Sequence, residues 1–207
     1  LRYEQLQEVY AGPEYYWGTE PNGFAARALG FLEEVREGLR AVDLGAGEGR
    51  DAVLFAEHGL ETLAVDISPN GLQKAERLAR ERGVRIDTRQ GDVNSLQLGG
   101  RFDLVYSIGT VQYIEPEKRS ERFGYLKERT VPGGINALLT FVDHPDVAPA
   151  PDWGDNEYLY VPGELAGYYE GWECLHSRGF VFDDDSGGQA HQHAMEEYVF
   201  QKPETAG

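Results

Sequence analysis

Apolar positions recur along the chain with two different spacings. From Arg40 onward, short apolar runs alternate with longer segments whose apolar residues repeat every three or four positions. That alternation predicts βαβ units and a parallel sheet. Strands are expected at about 40–44, 61–66, 84–90, 102–108 and 135–142. The helices between them are expected at about 49–58, closed by Gly59, from Ser68-Pro69 to Arg82, and from Pro116 to Glu128. Ser68 has the chemistry of an N-cap, and Pro69 fits the first helical position. Ahead of the sheet, residues 1–10 read as a short helix. A second helix is expected from Phe24 to Val35, capped by Asn22, with Phe24, Ala28, Phe31, Leu32 and Val35 on one face.

The pattern changes after residue 143. Pro145, Pro149, Pro151 and Pro162 share a long loop with Trp153, Tyr158 and Tyr160. Loops of that length in a compact domain are usually functional. A short helix at 163–169 follows, then strands at about 172–181 and 191–200. The turn at 183–188 makes these two strands antiparallel. The chain therefore reads as one α/β domain over 1–207. Residues 1–39 form N-terminal helices and a lid segment, and 40–200 form a seven-stranded, mostly parallel core sheet with an antiparallel last strand.

Composition narrows the function. The net charge is −17 and the pI about 4.6, so a nucleic acid would be repelled. An acidic chain with four lysines against 15 arginines also has the composition of proteins kept soluble in concentrated salt. No run of about 18 apolar residues predicts a membrane span. Residues Leu1 to Tyr10 lack the basic start and apolar block of a signal peptide. Cys174 is the only cysteine, which excludes an internal disulfide, and it is expected to be a small buried hydrophobe. A cytoplasmic location is expected from these features together.

The candidate chemistry begins at the first strand. Asp43 ends it, and Gly45, Gly47 and Gly49 follow with the spacing G-x-G-x-G. Asp66 ends the second strand, 17 residues past Gly49, with Ile67 beside it. A glycine turn lets backbone approach a ligand, and a carboxylate at the next strand end can accept both hydroxyls of a ribose. A dinucleotide site usually spaces its glycines G-x-G-x-x-G. The spacing here resembles motif I of the class I S-adenosylmethionine (SAM) dependent methyltransferases, which have a Rossmann-like sheet. At the ends of the next two strands, Asp92 and Val93 suit the adenine, and Ser107 lines the transfer site. No Asn-Pro-Pro-Tyr-like motif follows the fourth strand, which argues against methylation of a base or amide nitrogen. Arg50 and Asp51 open the next helix and receive no catalytic role.

His191 and His193 lie two apart on the last predicted strand and so share a face. They are read as bordering the acceptor pocket. A metal would need a third ligand, such as His144 or Asp143, and no metal is assigned.

Three further segments resemble the tellurite-resistance and thiopurine methyltransferase group. They are Tyr15-Tyr16-Trp17-Gly18-Thr19-Glu20-Pro21-Asn22, Val131-Pro132-Gly133-Gly134-Ile135-Asn136-Ala137, and Gly163-Glu164-Leu165 through Tyr168-Tyr169-Glu170-Gly171-Trp172-Glu173. The resemblance implies a methyltransferase acting on a small molecule, such as tellurite, selenite or a thiol. It implies cofactor contacts at Asp43, Gly45, Gly47, Gly49, Asp66, Ile67, Asp92, Val93, Ser107 and Trp17. Acceptor contacts are expected at Tyr16, Arg178, His191 and His193, and no catalytic residue is named. The acidic run Asp183 to Asp185 departs from the basic C-terminal strands of the tellurite enzymes and weighs against an oxyanion. The alternatives are an NAD-type oxidoreductase, opposed by the glycine spacing and the terminal hairpin, and a catalytically silent SAM-binding protein. Tyr15, Tyr16 and Trp17, with the loop at 144–162, are expected to form a lid, and residues 12–21 are expected to be mobile without ligand.

Overall fold

A computed structural model describes residues 3–32, 38–148, 150–151, 153–185 and 189–204. Its seven strands are β1 (Arg40–Leu44), β2 (Glu61–Asp66), β3 (Asp87–Gln90), β4 (Phe102–Ile108), β5 (Thr130–Val142), β6 (Glu173–Asp184) and β7 (His191–Gln201). They form one sheet in the order β3-β2-β1-β4-β5-β7-β6. The first five pair in parallel, and β7 runs antiparallel to both β5 and β6. This is the mostly parallel, Rossmann-like sheet that the alternating pattern predicts. The helices are α1 (Tyr3–Ala11), α2 (Gly23–Leu29), α3 (Arg50–Glu57), α4 (Pro69–Glu81), α5 (Arg119–Glu128) and α6 (Glu164–Gly167). Among the described residues, no helix is long and apolar enough to cross a membrane.

Alternation along the central strands builds the two faces of the core. Val42, Leu44 and Val105 face Phe123 and Leu126 of α5. Ala41, Leu104 and Tyr106 face Phe24 of α2 and Phe55 of α3. The crossover helices cover both faces, so only the sheet's ends are open to a ligand.

Several boundaries differ from the sequence pattern, each for a local reason. Helix α2 stops at Leu29, although Phe31 and Leu32 still pack on the core; Val35 lies outside the described residues. Strand β3 starts only at Asp87, because the Val84 amide closes the end of α4 on the Ala79 carbonyl. Strand β5 starts at Thr130, ahead of the expected start at 135, and passes through Gly133-Gly134 as a register shift. Strand β6 continues to Asp184, opposite His191. Of the connection that follows, Ser186, Gly187 and Gly188 lie outside the described residues. Cys174 is exposed on β6, the outermost strand, contrary to the buried position expected for it.

Candidate active site

The C-terminal ends of β1, β2 and β4 open into one cleft of about 1010 Å³. That is the upper end of the range for small-molecule sites, about 300–1,000 Å³. Asp43, Gly45, Gly47, Asp66, Ile67, Asp92, Val93 and Trp17 line it, as do Tyr16, Arg178 and His193. Three expected contacts are absent from its lining. Gly49 caps α3 with φ 87°, and a Cβ there would lie 2.4 Å from the Ala75 Cβ of α4, so this glycine serves helix packing. Ser107 is fully buried and donates to the Leu44 carbonyl at 2.9 Å, which ties β4 to β1. His191 stands behind His193, its Nε2 2.9 Å from that ring's Nε2.

The glycine turn is shaped by the protein as much as by any ligand. A Cβ on Gly45 would lie 1.8 Å from the Thr110 hydroxyl. The Gly45 and Ala46 amides both donate to the Val65 carbonyl, which pulls the turn over the end of β2. Gly47, at φ 52°, sits beneath the Tyr10 phenol, and its amide donates to Asp66 Oδ2 at 2.8 Å. Asp66 Oδ1 accepts the Ser68 amide at 2.8 Å. An ionised carboxylate offers about four acceptor sites, so accepting capacity remains beyond these amides.

The aromatic segment is pinned above this turn. The Trp17 amide donates to Glu48 Oε2, its carbonyl accepts from Arg50, and its indole N–H donates to the Tyr10 hydroxyl. The Asn22 amide donates to Asp51. These bonds tether the expected lid segment to the glycine turn at Trp17 and to α3 at Asn22. Tyr16 and Trp17 keep about half their surface exposed, 51 % and 48 %, at the cleft mouth. We expect the Trp17 amide to resist hydrogen exchange with and without S-adenosylhomocysteine. Added protection on binding should be confined to its neighbours Tyr16 and Gly18, and fast exchange at Trp17 without ligand would show that the tether is not formed.

Comparison with known proteins agrees with this geometry. Residues 41–134 match the "Methyltransferase domain" family. A probable SAM-dependent methyltransferase TehB of Haemophilus influenzae is 24% identical over 137 residues, 66% of this chain and 46% of that protein. The crystal structure of TehB from the same organism superposes with a TM-score of 0.78 at 20% identity, covering 95% of this chain and 67% of that one. The N-methyltransferase NodS of Bradyrhizobium japonicum, solved with S-adenosyl-L-homocysteine, superposes with a TM-score of 0.72 at 16% identity, covering 97% and 98%. By these matches the chain is similar to the class I SAM-dependent methyltransferases. It spans about half the length of the curated relatives it matches first.

The cofactor of this family is SAM, and the residues present fit it. Asp43 is buried, and one of its carboxylate oxygens has no hydrogen-bond partner. Burial, and then the nearby Asp51 and Asp66, push its pKa well above the carboxylate range. Burial also raises Asp51 and Asp66, offset by backbone N–H donors. These acids make a cleft floor that favours a cationic ligand. Arg50 is the cation acting on Asp43 and Asp51.

A carboxyl whose folded pKa is raised binds its proton more tightly in the folded chain. It therefore costs stability as pH rises from the ordinary carboxylate range through the raised value. Asp43→Asn is expected to raise the melting temperature of the ligand-free protein at pH 8 relative to wild type, with the gain shrinking toward pH 4. About 1 kcal/mol corresponds to roughly 2–4 °C in a domain of this size. The same variant should bind SAM at least tenfold more weakly at pH 8. A pH-independent difference in melting temperature would show that Asp43 is not the strained group.

Several site residues are missed by the sequence pattern. Lys74 and Glu48 form a buried ion pair at 2.7 Å under the aromatic segment. Tyr10, from α1, reaches Gly47. Glu197 of β7 is buried, and takes Arg27 at 2.7 Å and His176 at 2.9 Å. Phe141 and Trp153 wall the far end beside His193, with ring centroids 5.1 and 4.9 Å from it. Trp153, Asn156, Glu157 and Tyr158 of the long loop line the cleft. The loop is fixed there by the Tyr158 amide on the Gln112 carbonyl and by the Tyr160 hydroxyl on the Val111 carbonyl.

Proposed function

We propose that this chain transfers the methyl group of SAM to a small molecule with an available lone pair, a thiolate in first place. The observation that carries the reading is the second half of the cleft. It runs on past the glycine turn to a wall of Phe141, Trp153, Phe180, Phe182 and Met195, with room for an acceptor beside the cofactor. A polarisable, mostly apolar wall suits sulfur. Arg178 lines the same wall, its guanidinium 4.9 Å from the Phe180 ring centre, and supplies charge for an anionic acceptor. Arg178 also supports a second reading, a selenite or tellurite oxyanion, against which Asp184 and Glu197 in the same lining weigh.

Cofactor binding falls to Asp66 for the ribose hydroxyls, Ile67 and Val93 for the adenine faces, Asp92 for the adenine amine, and Asp43 with the turn at Gly45 and Gly47 for the methionine end. Trp17 and Tyr16 cover it. When bound, SAM supplies a methyl group on a cationic sulfonium. The chain's contribution is to hold the acceptor in line and to keep water out. A thiolate or oxyanion needs no base, and no side chain is assigned as one. The curated relatives carry names as different as ubiquinone biosynthesis O-methyltransferase and ribosomal protein L11 methyltransferase, so the choice of acceptor rests on this chain's own wall.

Calorimetric titration with S-adenosylhomocysteine and with NAD tests the cofactor half of the reading. One equivalent of the former and none of the latter is expected. NAD binding without S-adenosylhomocysteine binding would overturn it.

A further inference from the structure

The hairpin of β6 and β7 brings three metal-capable side chains together at the cleft's far end. Strand pairing sets Asp184 opposite His191, and His193 follows two residues on. His191 Nε2 and His193 Nε2 are 2.9 Å apart. Asp184 Oδ2 is 3.4 Å from His193 Nε2 and 3.8 Å from His191 Nε2. A point about 2.0 Å from all three atoms lies inside that triangle, which is the distance at which zinc takes imidazole nitrogen and carboxylate oxygen.

The hydrogen bond behind the cluster points the same way. His191 Nδ1 lies 2.7 Å from the Gln189 carbonyl oxygen, which can only accept. In the neutral ring the proton therefore sits on Nδ1, and Nε2 turns its lone pair into the triangle. A backbone carbonyl behind a ligating imidazole is the usual outer support of a metal-bound histidine. Packing fixes the second ring: Phe141, Trp153 and Phe182 surround His193 with centroids 5.1, 4.9 and 5.4 Å away. The sequence suggested a third donor such as His144 or Asp143; the fold supplies Asp184.

We propose that Asp184, His191 and His193 form a site for a divalent transition-metal ion of the zinc type. Two imidazoles and one carboxylate select such an ion over magnesium or calcium, which take oxygen ligands. Asp184 and His193 both line the cleft, so the ion's remaining positions face the acceptor end. Among the described residues the cluster offers three protein ligands, the number found at reactive metal centres. There the ion would hold a thiolate or oxyanion against the aromatic wall. The site itself does not rest on the methyl-transfer reading.

The test uses the full chain stripped with a chelator and titrated with Zn2+ alone. One equivalent is expected to bind, and His191→Ala and Asp184→Asn are each expected to weaken binding at least tenfold. Their metal-free melting curves and their affinity for S-adenosylhomocysteine should stay near wild type, which keeps the metal result separate from the cofactor reading. In the wild type, Co2+ should develop the intense visible bands of a four-coordinate nitrogen and oxygen site. This readout holds even where a variant does not fold. The proposal is overturned if the folded wild type takes up no equivalent of Zn2+, if binding survives His191→Ala unchanged, or if Co2+ shows only weak six-coordinate absorption.

Discussion

Lys74→Ala is expected to lower the stability of this protein by about 3–5 kcal/mol, the usual cost of leaving one member of a buried ion pair without its partner. Lys74 and Glu48 meet at 2.7 Å with side chains only 7 % and 1 % exposed. Lys74 also donates to the Glu14 carbonyl, and Glu48 takes the Trp17 amide on its other oxygen. One pair thus joins α4, the glycine turn and the aromatic segment. Its removal should lower the melting temperature by on the order of ten degrees. It should also free the Trp17 amide to exchange. The double variant Lys74→Met with Glu48→Gln removes both charges and should recover most of the stability, though not the protection of Trp17. A loss below about 1 kcal/mol in the single variant would mean that water reaches Glu48 and the pair is not a keystone of the site.

Asp66→Ala should weaken SAM binding at least tenfold while the fold survives. Two charge-assisted hydrogen bonds to a ribose are worth roughly 1.5–3 kcal/mol each. Asp66 has a second task, because its oxygens accept the Gly47 and Ser68 amides. The substitution should therefore also loosen the glycine turn, with a modest fall in melting temperature. Asp66→Asn separates the two roles. It keeps one acceptor oxygen for the turn but replaces the other by an amide nitrogen and removes the charge, so stability should recover more than affinity does. Unchanged SAM affinity in Asp66→Ala, measured by calorimetry, would reduce the acid to a turn residue.

The glycine-turn end of the cleft was legible because backbone geometry writes it into the sequence. Asp43, Gly45, Gly47 and Asp66 each stand at a fixed offset from a strand end, and strand ends can be read from apolar runs. Gly49 and Ser107 obey the same offsets yet turn away to pack against Ala75 and to tie two strands. Spacing alone does not separate lining a ligand from lining a neighbour. Lys74 was signalled more faintly. It shares the stripe of Gly71, Ala75 and Leu78 on α4, where a charge is buried only if something meets it. The far end of the cleft was the least legible. His193, Asp184, Phe141 and Trp153 come from β5, from both arms of the hairpin and from the proline-rich loop, and only the register of the sheet brings them together. The extension of β6 to Asp184, which sets it opposite His191, has no signature in the apolar pattern.

The most direct measurement is methyl transfer from SAM labelled in its methyl group, offered to a panel of small thiols, selenite and tellurite. The account predicts labelled methyl on at least one thiol, with one S-adenosylhomocysteine formed per methyl transferred, and transfer lowered at least tenfold in Asp66→Ala at limiting SAM. A wild-type chain that binds one equivalent of SAM and labels no acceptor in the panel would contradict it, leaving a protein that holds the cofactor without using it.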